Sequence, residues 1–181
     1  VRLVGSEMCI RDSSEGREMT ANILPSASAE KHYPIAFNLI PQIDVFCDNL
    51  YTKEEMKMVN ETKKIMEDYE MRITATTIRV PVYRSHSESV NIELEKEVDL
   101  GAMREALAKF PGVTVQDDPS KQEYPMPLYT SEKDDVYVGR LRRDESCEKS
   151  YNMWVVGDQI RKGAALNTLQ IAETMIKNGW I

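Results

Sequence analysis

Arg79 and His86 stand seven positions apart in IRVPVYRSHSESVNIELE (78–95), and His86 is one of only two histidines in the chain. A guanidinium grips a carboxylate through two parallel N–H donors, and an imidazole moves protons near neutral pH. Their spacing is odd, so an unbroken strand would put them on opposite faces of a sheet. They converge only where the chain turns or bulges near residues 83–87, the polar run Tyr83-Arg84-Ser85-His86-Ser87. Spacing alone leaves a bland alternative open: a strand-edge arginine and a solvated histidine in a turn.

Glu54 and Lys57 form a second candidate pair, one turn apart at the start of a helix and so on a common face. A lysine there is repelled by the positive end of the helix dipole, and two positive features together favour an anion. A solvated face explains the same residues, with Lys57 paired to Glu61, although Lys before Glu is the poorer order. The cysteines are weak candidates for a nucleophile, because a reactive thiolate needs positive neighbours or a helix N-terminus. Cys47 precedes Asp48, and Cys147 stands between Glu145 and Glu148. His32, between Lys31 and Tyr33, is expected to be exposed.

The elements that must position these residues are read from period and punctuation. Thr52 with Glu55 is a capping box. Met58, Thr62, Ile65, Met66 and Tyr69 recur at helical spacing behind it, which predicts a helix over 53–68. Residues 35–46 are apolar but broken by Pro41, so two short extended pieces are expected. Ile73–Val82 is rich in Thr, Ile and Val and reads as a strand. Val90, Ile92 and Leu94 alternate with polar residues, the mark of a strand buried on one side. Asp99 caps a helix that carries Leu100, Met103, Leu107 and Phe110 and ends at Pro111-Gly112. Residues 114–135 read as loop, Val136–Leu141 and Met153–Val156 as strands, and 164–177 as a final helix closed by Asn178-Gly179. The order predicts an α+β fold, a mostly antiparallel mixed sheet with helices on one face. On the last helix Ala164, Ala165, Leu169, Ile171, Ala172, Met175 and Ile176 spread over about 160° by the helical period, wider than the usual stripe. Such a helix expects cover on more than one side; a place deep in its own core is the alternative.

Composition narrows the function classes. The 181 residues suffice for one domain with a core. A net charge of −7 and a pI near 5.0 provide no basic stripe, which argues against nucleic-acid or anionic-membrane binding. No apolar run approaches the roughly 20 residues of a membrane span, and no secretory signal is seen. Three widely spaced cysteines without zinc spacing read as reduced thiols in a cytoplasmic protein, with no metal site. Residues 1–13 have no structural period. Met8–Ser13, MCIRDS, reads as one frame of a transposon end used in sequencing libraries, so this stretch is expected to be a non-native leader.

Several segments, in order, resemble aspartate-semialdehyde dehydrogenase of the bacterial type: IAFNLIPQID (35–44), YTKEEMKMVNETKKIM (51–66), TTIRVPVYRSHSESVNIELE (76–95), VGRLRRD (138–144) and WVVGDQIRKGAALNTLQIAE (154–173). The likeness runs from about residue 33 to 177 and covers the C-terminal part of that family. It implies a fold like the C-terminal domain of glyceraldehyde-phosphate dehydrogenase-type enzymes. Residues 14–163 would be a substrate-binding and dimerisation domain, and 164–181 a helix that packs on an NADP-binding domain. The family converts aspartyl phosphate to aspartate semialdehyde with NADPH, releasing phosphate, in lysine, threonine and methionine biosynthesis. A cysteine thioester is the intermediate. The resemblance implies that His86 is the acid/base group and Arg79 the substrate-carboxylate clamp. It places Glu54 and Lys57 on substrate, with Lys57 near the phosphate, and Asn167 near the nicotinamide. A homodimer or homotetramer is implied, with no nucleic-acid or membrane partner. The sequence departs from the family in having no strand–Gly-rich–helix unit, no nucleophilic cysteine in its Asn-Cys context, and no assisting glutamine. The chain is therefore expected to be inactive alone. A non-catalytic ligand-binding or dimerisation module is the competing reading.

Overall fold

The computed structural model describes residues 30–35 and 37–181. The expected leader at 1–13 lies outside the described residues. Contacts divide the chain into two compact units, one ending at Tyr83 and the other running from Arg84 to Ile181.

In the first unit, helix α1 (Lys53–Met66) begins at the capping box read from the sequence. The Glu55 N–H donates to Thr52 Oγ1 at 3.3 Å, and the Thr52 N–H donates to Glu55 Oε2 at 2.8 Å. The second carboxylate oxygen, Oε1, accepts the Thr77 N–H at 2.8 Å, so the helix start is tied to the extended segment 73–82. That bond accounts for a departure from expectation. Ile73–Val82 joins no ladder; its one bridge pairs Arg79 with Ile40, and the Val82 N–H turns back to Val80 O at 2.8 Å. Thr77 has committed its N–H to a carboxylate and Pro81 has none, so two positions of the segment offer no donor to a neighbouring strand. The two extended pieces in 35–46 are present as bridges from Ile40 to Arg79 and from Phe46 to Thr52. The α1 stripe is also corrected. Met58, Thr62, Ile65, Met66 and Tyr69 are exposed, whereas Glu55 is buried and Met56, Val59 and Lys63 are half-buried. A polar anchor, the Glu55 carboxylate, sets the roll of this helix in place of the apolar stripe. His32 is half-buried, not exposed as expected.

The second unit is built on a four-stranded sheet of β1 (His86–Glu93), β2 (Val113–Val115), β3 (Val136–Arg143) and β4 (Ser150–Gly157), in the order β1-β4-β3-β2. Both β1–β4 and β3–β4 are antiparallel and β2–β3 is parallel, so the sheet is mixed and mostly antiparallel, as expected. Helix α2 (Leu100–Lys109) is capped by Asp99, which accepts the Ala102 N–H at 3.1 Å. Its Met103 packs into a core with Val138, Leu141 and Tyr151, flanked by Ile92, Leu94, Leu107, Val136 and Val155. Tyr151 is fully buried, and its hydroxyl donates to Val98 O and accepts from Val98 N–H, each at 2.7 Å. Strand β2 and a one-turn helix α3 (Pro127–Thr130) fall where loop was expected.

A β-bulge in β3 decides which side chains reach that core. Between the Gly139–Trp154 and Arg142–Asn152 pairs, Arg140 and Leu141 together oppose Met153. Strict alternation after Val138 would send Arg140 inward; the extra residue, with Arg140 at φ 55°, leaves Arg140 exposed and Leu141 buried. Asp117 supports the bulge: its Oδ1 accepts the Arg140 N–H at 2.7 Å, while Arg104 donates to Oδ2 through Nε at 2.9 Å and Nη2 at 2.7 Å. On the opposite face, the Trp154 Nε1–H donates to Pro125 O at 3.0 Å. Gly139 faces the same segment, and a Cβ there would lie 2.6 Å from Pro125 Cδ.

After β4 the chain enters a π-helical turn (Arg161–Ala165) and helix α4 (Leu166–Lys177). Gly179, at φ 68°, closes it as read, with its N–H donating to Ile176 O and that of Trp180 to Met175 O. No residue of α4 is buried, and Leu169, Ile171 and Ile176 are exposed. The apolar arc read from the sequence is thus open to solvent.

Candidate active site

The first unit gathers three of the expected residues. Glu54 and Lys57 occupy the first turn of α1, where Lys57 Nζ lies 3.9 Å from Glu54 Oε2, a loose pair in which the Lys57 side chain is 44% exposed. The alternative Lys57–Glu61 pairing is not the one formed. Arg79 is half-buried, and its backbone is fixed at both ends: its N–H donates to Ile40 O at 2.8 Å and its C=O accepts the Ile40 N–H at 3.1 Å. Thr77, two residues earlier and on the same side of extended chain, is bonded to Glu55, the neighbour of Glu54. One buried carboxylate therefore joins the arginine's segment to the helix start that carries Glu54 and Lys57. Burial pushes the Glu55 carboxyl up, but the N–H donors of Thr52 and Thr77 outweigh it and hold it below its ordinary value. Glu55 was read from the sequence only as a cap. Its second role depends on a contact 22 residues away and left no local signal.

The second unit holds His86 and Asn167. His86 is the first residue of β1, exposed, and paired in register with Gly157 at the end of β4. A dense polar cluster precedes it. Arg84 Nη2 lies 3.0 Å from Asp158 Oδ2, and Nη1 lies 3.0 Å from Glu132 Oε1. Asp158 is fully buried and also accepts N–H bonds from Glu132 at 2.7 Å, Ile160 at 2.8 Å and Arg161 at 3.1 Å. Burial raises the Asp158 pKa; the three N–H donors and the Arg84 charge overcome this and leave it below the ordinary carboxylate value. The Ser85 N–H donates to Gln159 Oε1 at 2.7 Å. None of these supporting residues was singled out from the sequence. The signal was present as Asp158-Gln159 directly after an apolar strand, the place where a buried carboxylate requires a partner. Asn167 is half-buried at the start of α4. Arg79 and His86 belong to different units.

The family model described as semialdehyde dehydrogenase, dimerisation domain, matches residues 7–162. The chain belongs to this family. The aspartate-semialdehyde dehydrogenase of Aquifex aeolicus is 50% identical over 167 residues, which is 92% of this chain and 47% of that protein. Among solved structures, aspartate semialdehyde dehydrogenase II from Vibrio cholerae superposes with a TM-score of 0.82 at 36% identity, over 96% of this chain and 50% of that one. The same enzyme complexed with ASA gives 0.79 at 40% identity, over 92% and 49%. This dimerisation-domain chain thus spans about half the length of the curated relatives it matches. The family match spans Glu54, Lys57, Arg79 and His86, and Asn167 lies beyond its last matched residue.

Proposed function

We propose that the chain is the C-terminal, substrate-binding and dimerisation half of an NADP-dependent aspartate-semialdehyde dehydrogenase, acting in the cytoplasm as a homodimer or homotetramer. The observation that supports this reading is the joining of Arg79's segment to the Glu54–Lys57 helix start by Glu55; an anionic substrate would draw on the cations of both. In this assignment Arg79 grips the substrate carboxylate as a bidentate fork. Lys57, on the positive end of α1 and exposed, receives the phosphate, and Glu54 orients the bound substrate. His86 is the acid/base group of the tetrahedral intermediate, and its exposed place at the strand end leaves it accessible to that intermediate.

The nucleophilic cysteine belongs, in this reading, to the part of the relatives' length that this chain does not span. Its thiolate attacks the acyl carbon of aspartyl phosphate, the C–O bond to phosphate breaks, and a thioester and inorganic phosphate result. Cys147 is exposed between two glutamates and Cys47 follows no positive group, so neither suits the task. The described residues do not fit NADP as a resident of this chain. They hold no strand–Gly-rich turn–helix unit, and Asn167 alone is no cradle. When bound elsewhere in the enzyme, the nucleotide supplies the hydride; Asn167 is assigned to the approach of its nicotinamide.

The test is to join residues 30–181 to the N-terminal half of the Aquifex aeolicus relative and to assay NADPH-dependent turnover. Robust turnover by the joined protein, with none by the chain alone, is expected. Turnover by the isolated chain would overturn the division of labour, and an inactive joined protein that folds and dimerises would favour a non-catalytic module.

A further inference from the structure

Ser85, the residue before His86, is buried and adopts φ 74°, a conformation that side chains rarely tolerate. Such strain persists only where the surroundings over-determine it, and it concentrates at functional sites. The surroundings of Ser85 do over-determine it. Its N–H is held by Gln159 Oε1 at 2.7 Å, and its hydroxyl lies 3.1 Å from Thr130 Oγ1 and 3.3 Å from Ser131 Oγ. The preceding Arg84 is gripped by Asp158 and Glu132, each at 3.0 Å, and Asp158 in turn holds the Glu132 N–H. Two segments remote in sequence, 130–132 and 158–159, thus close on the two residues immediately before the histidine. A buried ion pair is a poor source of net stability, because desolvation offsets its attraction; its best-attested use is to fix one geometry.

We propose that Arg84, Ser85 and Asp158 are positioning residues for His86: the Arg84–Asp158 clamp and the left-handed turn at Ser85 fix the point and direction at which the imidazole leaves the sheet. The proposal rests on the reading of His86 as the acid/base group and adds the device that orients it. The clamp acts through the backbone and touches no reacting atom.

The test uses the whole 181-residue chain and reads the backbone order parameter of the His86 amide by nuclear magnetic resonance. In the parent chain His86 should be rigid, near ~0.85. Arg84→Lys, which keeps the charge but loses the fork, and Ser85→Val, which cannot hold φ 74°, should each lower the value below ~0.6. Ser85→Gly, which adopts this φ without strain, should retain the parent value. Thr130→Val, which deletes one hydroxyl bonded to Ser85 and keeps the volume, serves where Ser85→Val does not fold, and should also loosen residue 86. Parent-like order at His86 in the folded Arg84→Lys and Thr130→Val chains would overturn the proposal, since a merely stabilising clamp lowers the melting point without moving residue 86. That result would leave the acid/base reading untouched. An unchanged turnover after loss of the imidazole would instead remove that reading and leave the clamp standing.

Discussion

Arg79 leaves the backbone from a point locked on both sides by Ile40, itself only 4% exposed, so its guanidinium has a fixed root. In the proposed role the side chain acts as a fork, which a lysine cannot reproduce. Arg79→Lys in the joined enzyme should raise KM by about 10-fold or more with a smaller change in kcat, the size of one lost charge-assisted hydrogen bond. Steady-state kinetics checks this, and unaltered constants would take Arg79 out of the site. Asp158 makes a different prediction at the same scale. Its folded pKa is depressed, so its contribution to stability is present above the unfolded carboxylate pKa and is lost as pH falls through the folded value. Asp158→Asn should therefore melt below the parent at neutral pH, and the gap should narrow in acid. A gap that stays constant from pH 7 to pH 3 would contradict the assigned charge. Legibility at this scale was uneven. Arg79, His86, Glu54 and Lys57 were visible as residue types at suggestive spacings. Asp158 was not visible, and Glu55 only as a cap, because the bonds that tie them to other segments reach partners far away in sequence.

Tyr151 shows how the elements hold together. Its hydroxyl satisfies both backbone groups of Val98, just before α2, and so fastens the helix start to β4 inside the core. Tyr151→Phe leaves two backbone groups without their partner and should cost about 1–3 kcal/mol by denaturant titration. A loss under ~0.5 kcal/mol would mean that water replaces the hydroxyl. Both helices with capping residues, α1 and α2, were legible in advance, since a cap is a local signal. The strand expected at 73–82 was not formed as a ladder, since β propensity describes fit to a pleated surface and the Thr77 N–H is bound to Glu55. The bulge in β3 did leave a trace: the apolar parity of Val136 and Val138 breaks at Leu141, one residue off register. Residues 113–115 were absorbed into a loop because three residues are too few to establish a period.

At the scale of the whole molecule, the ordered run of matching segments carried the family assignment, and the dimerisation-domain match agrees with it. The helices α1 and α4 carry exposed apolar residues, Ile65 and Met66 on the first and Leu169 and Ile176 on the second. No helix among the described residues is long and apolar enough to cross a membrane. Arg79 closes no ladder with the sheet that begins at His86, and the two residues fall in different compact units, so periodicity carries no signal for the pair. The proposed function makes His86 the acid/base group, and its most direct test is His86→Ala in the joined enzyme. Turnover should fall by ~10²–10⁴-fold, as for a lost acid/base group, with the protein still folded and dimeric. A His86→Ala enzyme that turns over within about twofold of its parent would contradict the claim.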